Sequence, residues 1–195
     1  MLDPTYHILV TLACFVAGSI PFAIVAMWGS GVDIRKVGSG NPGFNNVLRV
    51  SKPRAVIALA GDMGKGFLPI WWCLSTGAPE SWIWLNGFVV VFGHCYSPWL
   101  KFNGGKGVAT SAGVMIVLYP QWAAIALGFF LITRILMGRW GWPEAGMIGS
   151  VATWLFFTVL MVVYGSVLDA RNAGLMTLFI MWRHQKNFRR LWALR

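Results

Sequence analysis

The feature that most constrains this chain is a series of apolar stretches long enough to cross a bilayer. Residues 6–28, 55–74 and 81–96 form three such runs, each near the roughly 20 residues that an α-helix needs to span a hydrocarbon core. Four more follow: Val108–Leu118, which is short and stops at Tyr119 and Pro120, then 121–136, 144–164 and 174–182, the last open to an earlier start. With 57% hydrophobic residues, 11% charged residues and 12 Trp in 195 residues, the chain carries more apolar side chain than one small soluble core can hide. Lipid must solvate the rest. The expectation is an all-α, polytopic membrane helix bundle with about seven transmembrane helices, some of them short. Lipid cannot satisfy free backbone groups, so the short spans need protein or a wet cavity around them, which is a first hint of a site.

A net charge of +10 arises from 16 Lys+Arg against 6 Asp+Glu. On a soluble protein this would suggest nucleic acid as partner; its placement argues for membrane topology and against nucleic acid. Arg35, Lys36, Arg49, Lys52 and Arg54 follow the first run, and Lys101 and Lys106 follow the third. Arg134 and Arg139 lie near the end of the fifth, and Arg183, Lys186, Arg189, Arg190 and Arg195 follow the seventh. The opposite side holds Asp3, Glu80, the turn at 119–121, and Asp169 with Arg171. Positive charge in short loops favours the cytoplasm, so the N-terminus is expected outside and the C-terminus inside. No cleaved leader is expected, because residues 1–5 carry no basic residue and the run that follows is long enough to span. No internal repeat of the kind that marks many transporters is visible, and no low-complexity linker divides the chain, so residues 1–195 are expected to form one domain. Residues 183–195 alternate basic side chains with Phe188, Leu191 and Trp192, a pattern suited to an interfacial helix with anionic membrane lipid as partner. Cys14, Cys73 and Cys95 are odd in number and widely spaced in apolar runs, which indicates neither a disulfide framework nor a metal site.

Gly38-Ser39-Gly40-Asn41-Pro42-Gly43 formally matches a G-x-G-x-x-G fingerprint. It follows a membrane run and a basic linker instead of a strand, which excludes a dinucleotide site. Its glycines can turn backbone N–H groups towards an anion, with Ser39, Asn41, Asn45, Asn46 and Arg49 as side-chain donors. A tight turn at Asn41-Pro42-Gly43 with polar residues facing water accounts for the same residues. Asp62 and Lys65, inside an apolar run, are three apart and share a helix face. Charge at membrane depth faces a partner or a wet cavity, so the pair either serves a substrate or neutralises itself and locks helices together. It is not part of a Walker loop, because Gly66 stands after Lys65 where Ser or Thr is required.

Gly104-Gly105-Lys106-Gly107 leads into a helical run. Backbone N–H groups, a helix N-terminus and one ammonium together suit a phosphate. His94 ends an apolar run at the inner interface and could serve as general base, hydrogen-bonding orienter or structural cap. On a continuing helix Arg183, His184 and Asn187 aim at one region, although a positive-inside anchor explains the basic residues equally well. No serine or cysteine nucleophile with a partnered base emerges; Cys95 and His94 are neighbours in sequence only, and the acids expected on the inner side are Asp33, Glu144 and the deeper Asp62.

Taken together, these motifs resemble the PlsY family, membrane acyltransferases that use acyl phosphate to acylate glycerol 3-phosphate. The resemblance runs from Ser19-Ile20-Pro21-Phe22 to about Leu191. It is carried by Val32-Asp33-Ile34-Arg35-Lys36, Gly38-Ser39-Gly40-Asn41 with Asn46 and Arg49, Asp62 with Lys65-Gly66, Gly93-His94, Phe102 with Gly104 to Thr110, and Arg183-His184 with Asn187. It implies a seven-helix, N-out and C-in fold in the bacterial cytoplasmic (inner) membrane, with the active site facing the cytoplasm. The implied catalytic residues are Ser39, His94 and Asn187. The implied substrate and phosphate residues are Asn41, Asn46, Arg49, Asp62, Lys65, Gly104, Gly105, Lys106, Gly107, Arg183 and His184. No cofactor or metal is implied. The implied reaction is direct attack by the glycerol 3-phosphate hydroxyl on the acyl carbonyl, giving lysophosphatidic acid and phosphate, the first step of phospholipid synthesis. His94 or a substrate phosphate oxygen would take the proton, and the acyl-phosphate-producing enzyme is an implied partner. The chain departs from the family pattern at Phe44, Asn45 and Asn103, and most at residues 139–145, where Trp142 replaces a family serine. Rival readings are a small-anion channel or exporter and a catalytically silent lipid-binding paralogue.

Overall fold

The computed structural model describes residues 4–193, and among them all regular structure is helical. Asp3 and Arg195 of the charge pattern lie outside the described residues. The chain forms two compact units, Met1–Leu118 and Tyr119–Arg195.

The first unit contains α1 (Pro4–Ser19), α2 (Phe22–Met27), α3 (Phe44–Leu48), α4 (Lys52–Ser75), α5 (Glu80–Cys95) and α6 (Val108–Leu118). The first apolar run, expected as one helix, breaks at Ile20 and Pro21. Proline lacks the N–H that a helix needs and disfavours helical geometry in the residue before it. At the start of α4 the Ser51 hydroxyl accepts from the Arg54 N–H at 3.5 Å, and Pro53 occupies the first turn, where a missing N–H is harmless. Helix α1 packs on α5, and α4 on α6. Both contacts are made through glycine: a Cβ on Gly18 would run into the backbone of Val90, and one on Gly66 into the carbonyl of Thr110. Small residues that let backbones approach are how helices associate in lipid, where burying apolar surface against another helix brings little gain.

The second unit contains α7 (Pro120–Arg139), α8 (Ala145–Tyr164), α9 (Val167–Arg183) and α10 (Gln185–Trp192), with α8 packed on both α7 and α9. The run expected at 174–182 is the C-terminal part of α9, which starts at a capping box: Ser166 Oγ accepts from the Asp169 N–H at 3.2 Å, and Asp169 Oδ2 from the Ser166 N–H at 3.0 Å. The Tyr119 hydroxyl also bonds Asp169. Between α8 and α9 the Thr158 and Thr177 hydroxyls pair at 2.8 Å, and Thr177 donates to the Trp154 carbonyl at 3.1 Å.

Both units bury polar side chains among their apolar cores and expose large apolar side chains outside. Helix α7 buries Ala123 and Ala126 while Ile125, Leu127, Leu131, Ile132 and Ile135 are exposed, and α1 exposes Ile8, Leu9, Leu12 and Val16. Such surfaces need lipid. By length and composition Pro4–Met27, Pro120–Arg139 and Ala145–Tyr164 can cross a membrane, and Val108–Leu118 is a shorter apolar helix. Each apolar run seen in the sequence coincides with a helix or a helix pair.

Candidate active site

Between α2 and α3 a 3-10 turn at Ile34–Lys36 plugs Ile34 into a core of Ala23, Ala26, Met27, Val47, Ala55 and Ala58. This plug fixes the base of the first glycine loop. Two of the nearby cations are already engaged. The Arg35 guanidinium binds both oxygens of Asp33 at 2.9 and 3.0 Å, and these bonds hold the Asp33 carboxyl below the usual carboxylate range. The pair is exposed and contributes little to stability, but it occupies Arg35. Arg54 Nη1 donates to the carbonyls of Ala26 and Trp28 at 2.7 and 2.8 Å, satisfying the end of α2.

Asn46, in the next helical turn, is buried and organises the loop. Its Nδ2 donates to the carbonyls of Ile34 and Val37 at 3.0 and 2.6 Å, and its Oδ1 accepts the Ser39 N–H at 3.3 Å. The Arg49 guanidinium lies at the same spot: a Cβ on Gly38, whose φ is 52°, would stand 2.6 Å from Asn46 Oδ1 and 2.8 Å from Arg49 Nη1. Ser39 Oγ accepts the Asn41 N–H at 3.4 Å. Ser39, Asn46 and Arg49 therefore come together, with Ser39 and Arg49 exposed and Asn46 beneath them. The Asn46 amide, expected among the phosphate ligands, serves the loop's own backbone.

The second loop starts where α5 ends at Cys95. Ser97 Oγ donates to the Ser19 carbonyl at 2.6 Å, and Trp99 Nε1 to Ser19 Oγ at 3.0 Å, anchors that the sequence did not reveal. The chain then doubles back. Gly104 N–H donates to the Cys95 carbonyl at 3.1 Å and Gly105 N–H to the His94 carbonyl at 3.2 Å, so the loop satisfies the last carbonyls of α5. No side chain fits here: a Cβ on Gly104 would meet the His94 carbonyl, and one on Gly105 the His94 Nε2. Gly107, with φ 82°, turns the chain into α6, and Lys106 stands half-buried between them.

Behind His94 lies a charge cluster. Asp62 and Lys65, on α4, are 2% and 5% exposed. Lys65 Nζ is 2.7 Å from Asp62 Oδ1, donates to the Ile20 carbonyl at 2.6 Å and sits 5.7 Å from the centre of the Phe22 ring. The same Asp62 oxygen is 3.4 Å from His94 Nδ1, and His94 is only 7% exposed. A charge buried at this depth persists because it is paired. The Asp62 carboxylate faces Nδ1 and Nε2 faces Gly105, the orienter geometry among the roles open to His94.

In the second unit, α9 ends at Arg183 and α10 begins at Gln185, so the continuous helix expected across 183–187 is interrupted at His184. The buried His184 ring bonds the Ile180 carbonyl through Nδ1 at 2.8 Å, a local side-chain bond that competes with helix propagation. Asn187 is 6% exposed, and its Nδ2 donates to Glu144 Oε2 at 2.5 Å. Glu144 Oε1 is 3.9 Å from Arg190 Nη1. The sequence marked Glu144 only as a rare acid on a basic face; nothing in it pointed to its contact with Asn187. Among the described residues no group of three or more His, Cys, Asp or Glu is placed to hold a metal ion.

Comparison with known proteins gives one answer. The sequence profile of the family described as Glycerol-3-phosphate acyltransferase matches residues 8–194. The glycerol-3-phosphate acyltransferase of Geotalea daltonii is 33% identical over 188 residues, covering 96% of this chain and 94% of that one. That of Pseudomonas paraeruginosa is 36% identical over 191 residues, with 95% of each chain covered. The crystal structure of PlsY, an integral membrane glycerol 3-phosphate acyltransferase, in its glycerol 3-phosphate form superposes with a TM-score of 0.86 at 30% identity, covering 97% of this chain and 94% of that one. Its lysophosphatidic acid form gives 0.85 at 28% identity, covering 97% and 93%. A profile match over nearly the whole chain, relatives at 33–36% identity and a superposing integral membrane acyltransferase leave one conclusion: the chain belongs to the glycerol-3-phosphate acyltransferase family.

Proposed function

We propose that this acyltransferase moves an acyl group from acyl phosphate to the sn-1 hydroxyl of glycerol 3-phosphate, releasing inorganic phosphate and leaving lysophosphatidic acid in the bilayer. The observation that carries the reading is the pair of anion-suited loops in the first unit, Ser39 with Arg49 and the Gly104-Gly105-Lys106-Gly107 turn, in a chain whose solved relative is known in glycerol 3-phosphate and lysophosphatidic acid forms.

Both substrates carry phosphate, so Arg49, Lys106 and backbone N–H groups hold two anions and supply proximity. Acyl phosphate already bears a good leaving group, and no enzyme nucleophile is needed. The glycerol 3-phosphate oxygen bonds to the acyl carbon, the bond from that carbon to the phosphate oxygen breaks, and the hydroxyl proton passes to His94 or to a substrate phosphate oxygen. Ser39 and Asn41 line the first loop on Asn46. Asp62 and Lys65 support His94 from behind. Asn187, with Arg183 and His184, is assigned to the same reaction. The whole chain serves as one integral-membrane domain of about seven crossings, N-terminus outside, with these residues at the cytoplasmic face of the bacterial inner membrane, the side on which basic residues gather. Helix α10 rests its apolar side chains and its cations on anionic lipid. The acyl-phosphate-producing enzyme is its functional partner.

The test uses purified protein in lipid vesicles with acyl phosphate and glycerol 3-phosphate. Phosphate and lysophosphatidic acid are expected in equal amounts. Anion flux without product would establish a channel instead, and binding without either would establish a silent paralogue.

A further inference from the structure

Within the first unit, a chain of polar side chains ends in two thiols that the acyl-transfer scheme leaves unused. Thr11 Oγ1 donates to Asn86 Oδ1 at 2.9 Å, and Asn86 Nδ2 donates to Cys73 Sγ at 3.4 Å. The Cys73 thiol in turn shares a hydrogen bond with that of Cys14. Cys14, Cys73 and Asn86 are all buried, so this chain links α1, α5 and α4 out of reach of lipid. Polar side chains inside a membrane bundle ordinarily serve to join helices. Thr11 and Asn86 suffice for that, and two thiols side by side add a chemistry of their own.

The register of the two helices supports the contact. On α1 Cys14 stands six residues before Ile20, and on α4 Cys73 stands eight residues after Lys65, about 9 and 12 Å along the two helices. Lys65 Nζ donates to the Ile20 carbonyl at 2.6 Å. One antiparallel interface therefore carries both contacts. Thiols already touching across it can be joined by rotating side chains, with little movement of the backbone. Cys95 stands nine residues beyond Asn86 on α5, about 14 Å further along that helix.

We propose that Cys14 and Cys73 form an oxidation site, which hydrogen peroxide closes into a disulfide between α1 and α4 and a thiol reductant reopens. An oxidant no larger than water suits a pair this buried. The Cys73 sulfur, which carries the Asn86 donor, attacks the peroxide O–O bond. One oxygen stays on sulfur as sulfenic acid, and the other leaves as water with the thiol proton. The Cys14 sulfur then displaces that hydroxyl, its own proton leaving with it as a second water, and the S–S bond forms. The two sulfurs are oxidised by two electrons in all and the peroxide is reduced to two waters.

The test treats the wild-type protein in lipid vesicles with hydrogen peroxide, unfolds it in detergent, alkylates it with a maleimide and maps the peptides by mass spectrometry. Alkylated cysteines are expected to fall from three to one, with Cys95 the one that remains. The Cys14 and Cys73 peptides are expected as one joined species that dithiothreitol separates. Three alkylated cysteines after peroxide, a bridge that uses Cys95, or a bridge between two copies of the chain overturns the proposal. In Cys14→Ser the bridge is expected to vanish and Cys73 to be captured by dimedone as sulfenic acid; loss of two thiols in this variant also overturns it. Should the variant fail to fold, the wild-type peptide map decides by itself.

Discussion

The two glycine loops of the first unit read alike in sequence and are built on different principles. At 38–43 the glycines supply backbone freedom: Gly38 and Gly40 have φ of 52° and 71°, values that side-chain-bearing residues rarely hold. That loop is tied down by one neutral amide, Asn46, which accepts the Ser39 N–H and donates to the carbonyls of Ile34 and Val37 just before it. At 104–105 the glycines supply room, because a Cβ would strike the His94 carbonyl or ring. That loop is wedged against an imidazole that is itself backed by the buried Asp62–Lys65 pair. The first loop presents exposed donors, Ser39 and Arg49, on an adaptable frame. The second places one ammonium, Lys106, beside a frame that has nowhere to move, which suits the group that must meet charge as it develops.

The largest expected effect tests that last point. Lys106→Ala should lower turnover about a thousandfold, the scale of losing one well-placed charge-stabilising donor, while helicity and the thermal midpoint in detergent stay at wild-type values. Phosphate release measured alongside circular dichroism decides it, and wild-type rates would take Lys106 out of the site. His94→Gln ranks next. If the ring takes the proton, turnover drops about a hundredfold and the acid limb of the pH–rate profile disappears. A loss with the acid limb intact would move the proton to a substrate phosphate and leave His94 as the wedge behind the loop.

The sequence made the helices legible because lipid makes a helix of almost any long apolar run. Where boundaries shifted, the signals were local and readable: Pro21 breaks the first run, and Ser166 with Asp169 starts α9 earlier than its hydropathy does. The pairing of Asp62 with Lys65 followed from their spacing, and the structure has them at 2.7 Å. Contacts between elements were another matter. No periodicity says that Asp62 on α4 will meet His94 on α5, or that Glu144 will reach Asn187. The interruption at His184 was equally silent, because a histidine ring bonding back to Ile180 depends on burial that the sequence pattern does not encode. Gly105 was recognised as special, but for an expected phosphate; its packing against His94 became visible only with the fold.

The smallest expected effects probe the frames directly, by adding one methyl group to each loop. In Gly105→Ala the new Cβ meets a ring held from behind by Asp62, so neither partner can yield. An overpacking cost of about 1–3 kcal/mol should follow, with a matching fall in activity as Lys106 is displaced. In Gly38→Ala the Cβ meets the ends of the Asn46 and Arg49 side chains, and Arg49 is exposed and long enough to swing aside. What remains is the penalty of φ 52° for alanine, about 1 kcal/mol, and a weaker grip on substrate as Arg49 shifts. Thermal unfolding and the KM for glycerol 3-phosphate, measured on both variants, separate the two frames. The room-limited loop should lose stability and turnover together, and the freedom-limited loop mainly affinity. Equal losses in both properties at both positions would mean that the two loops are held in the same way.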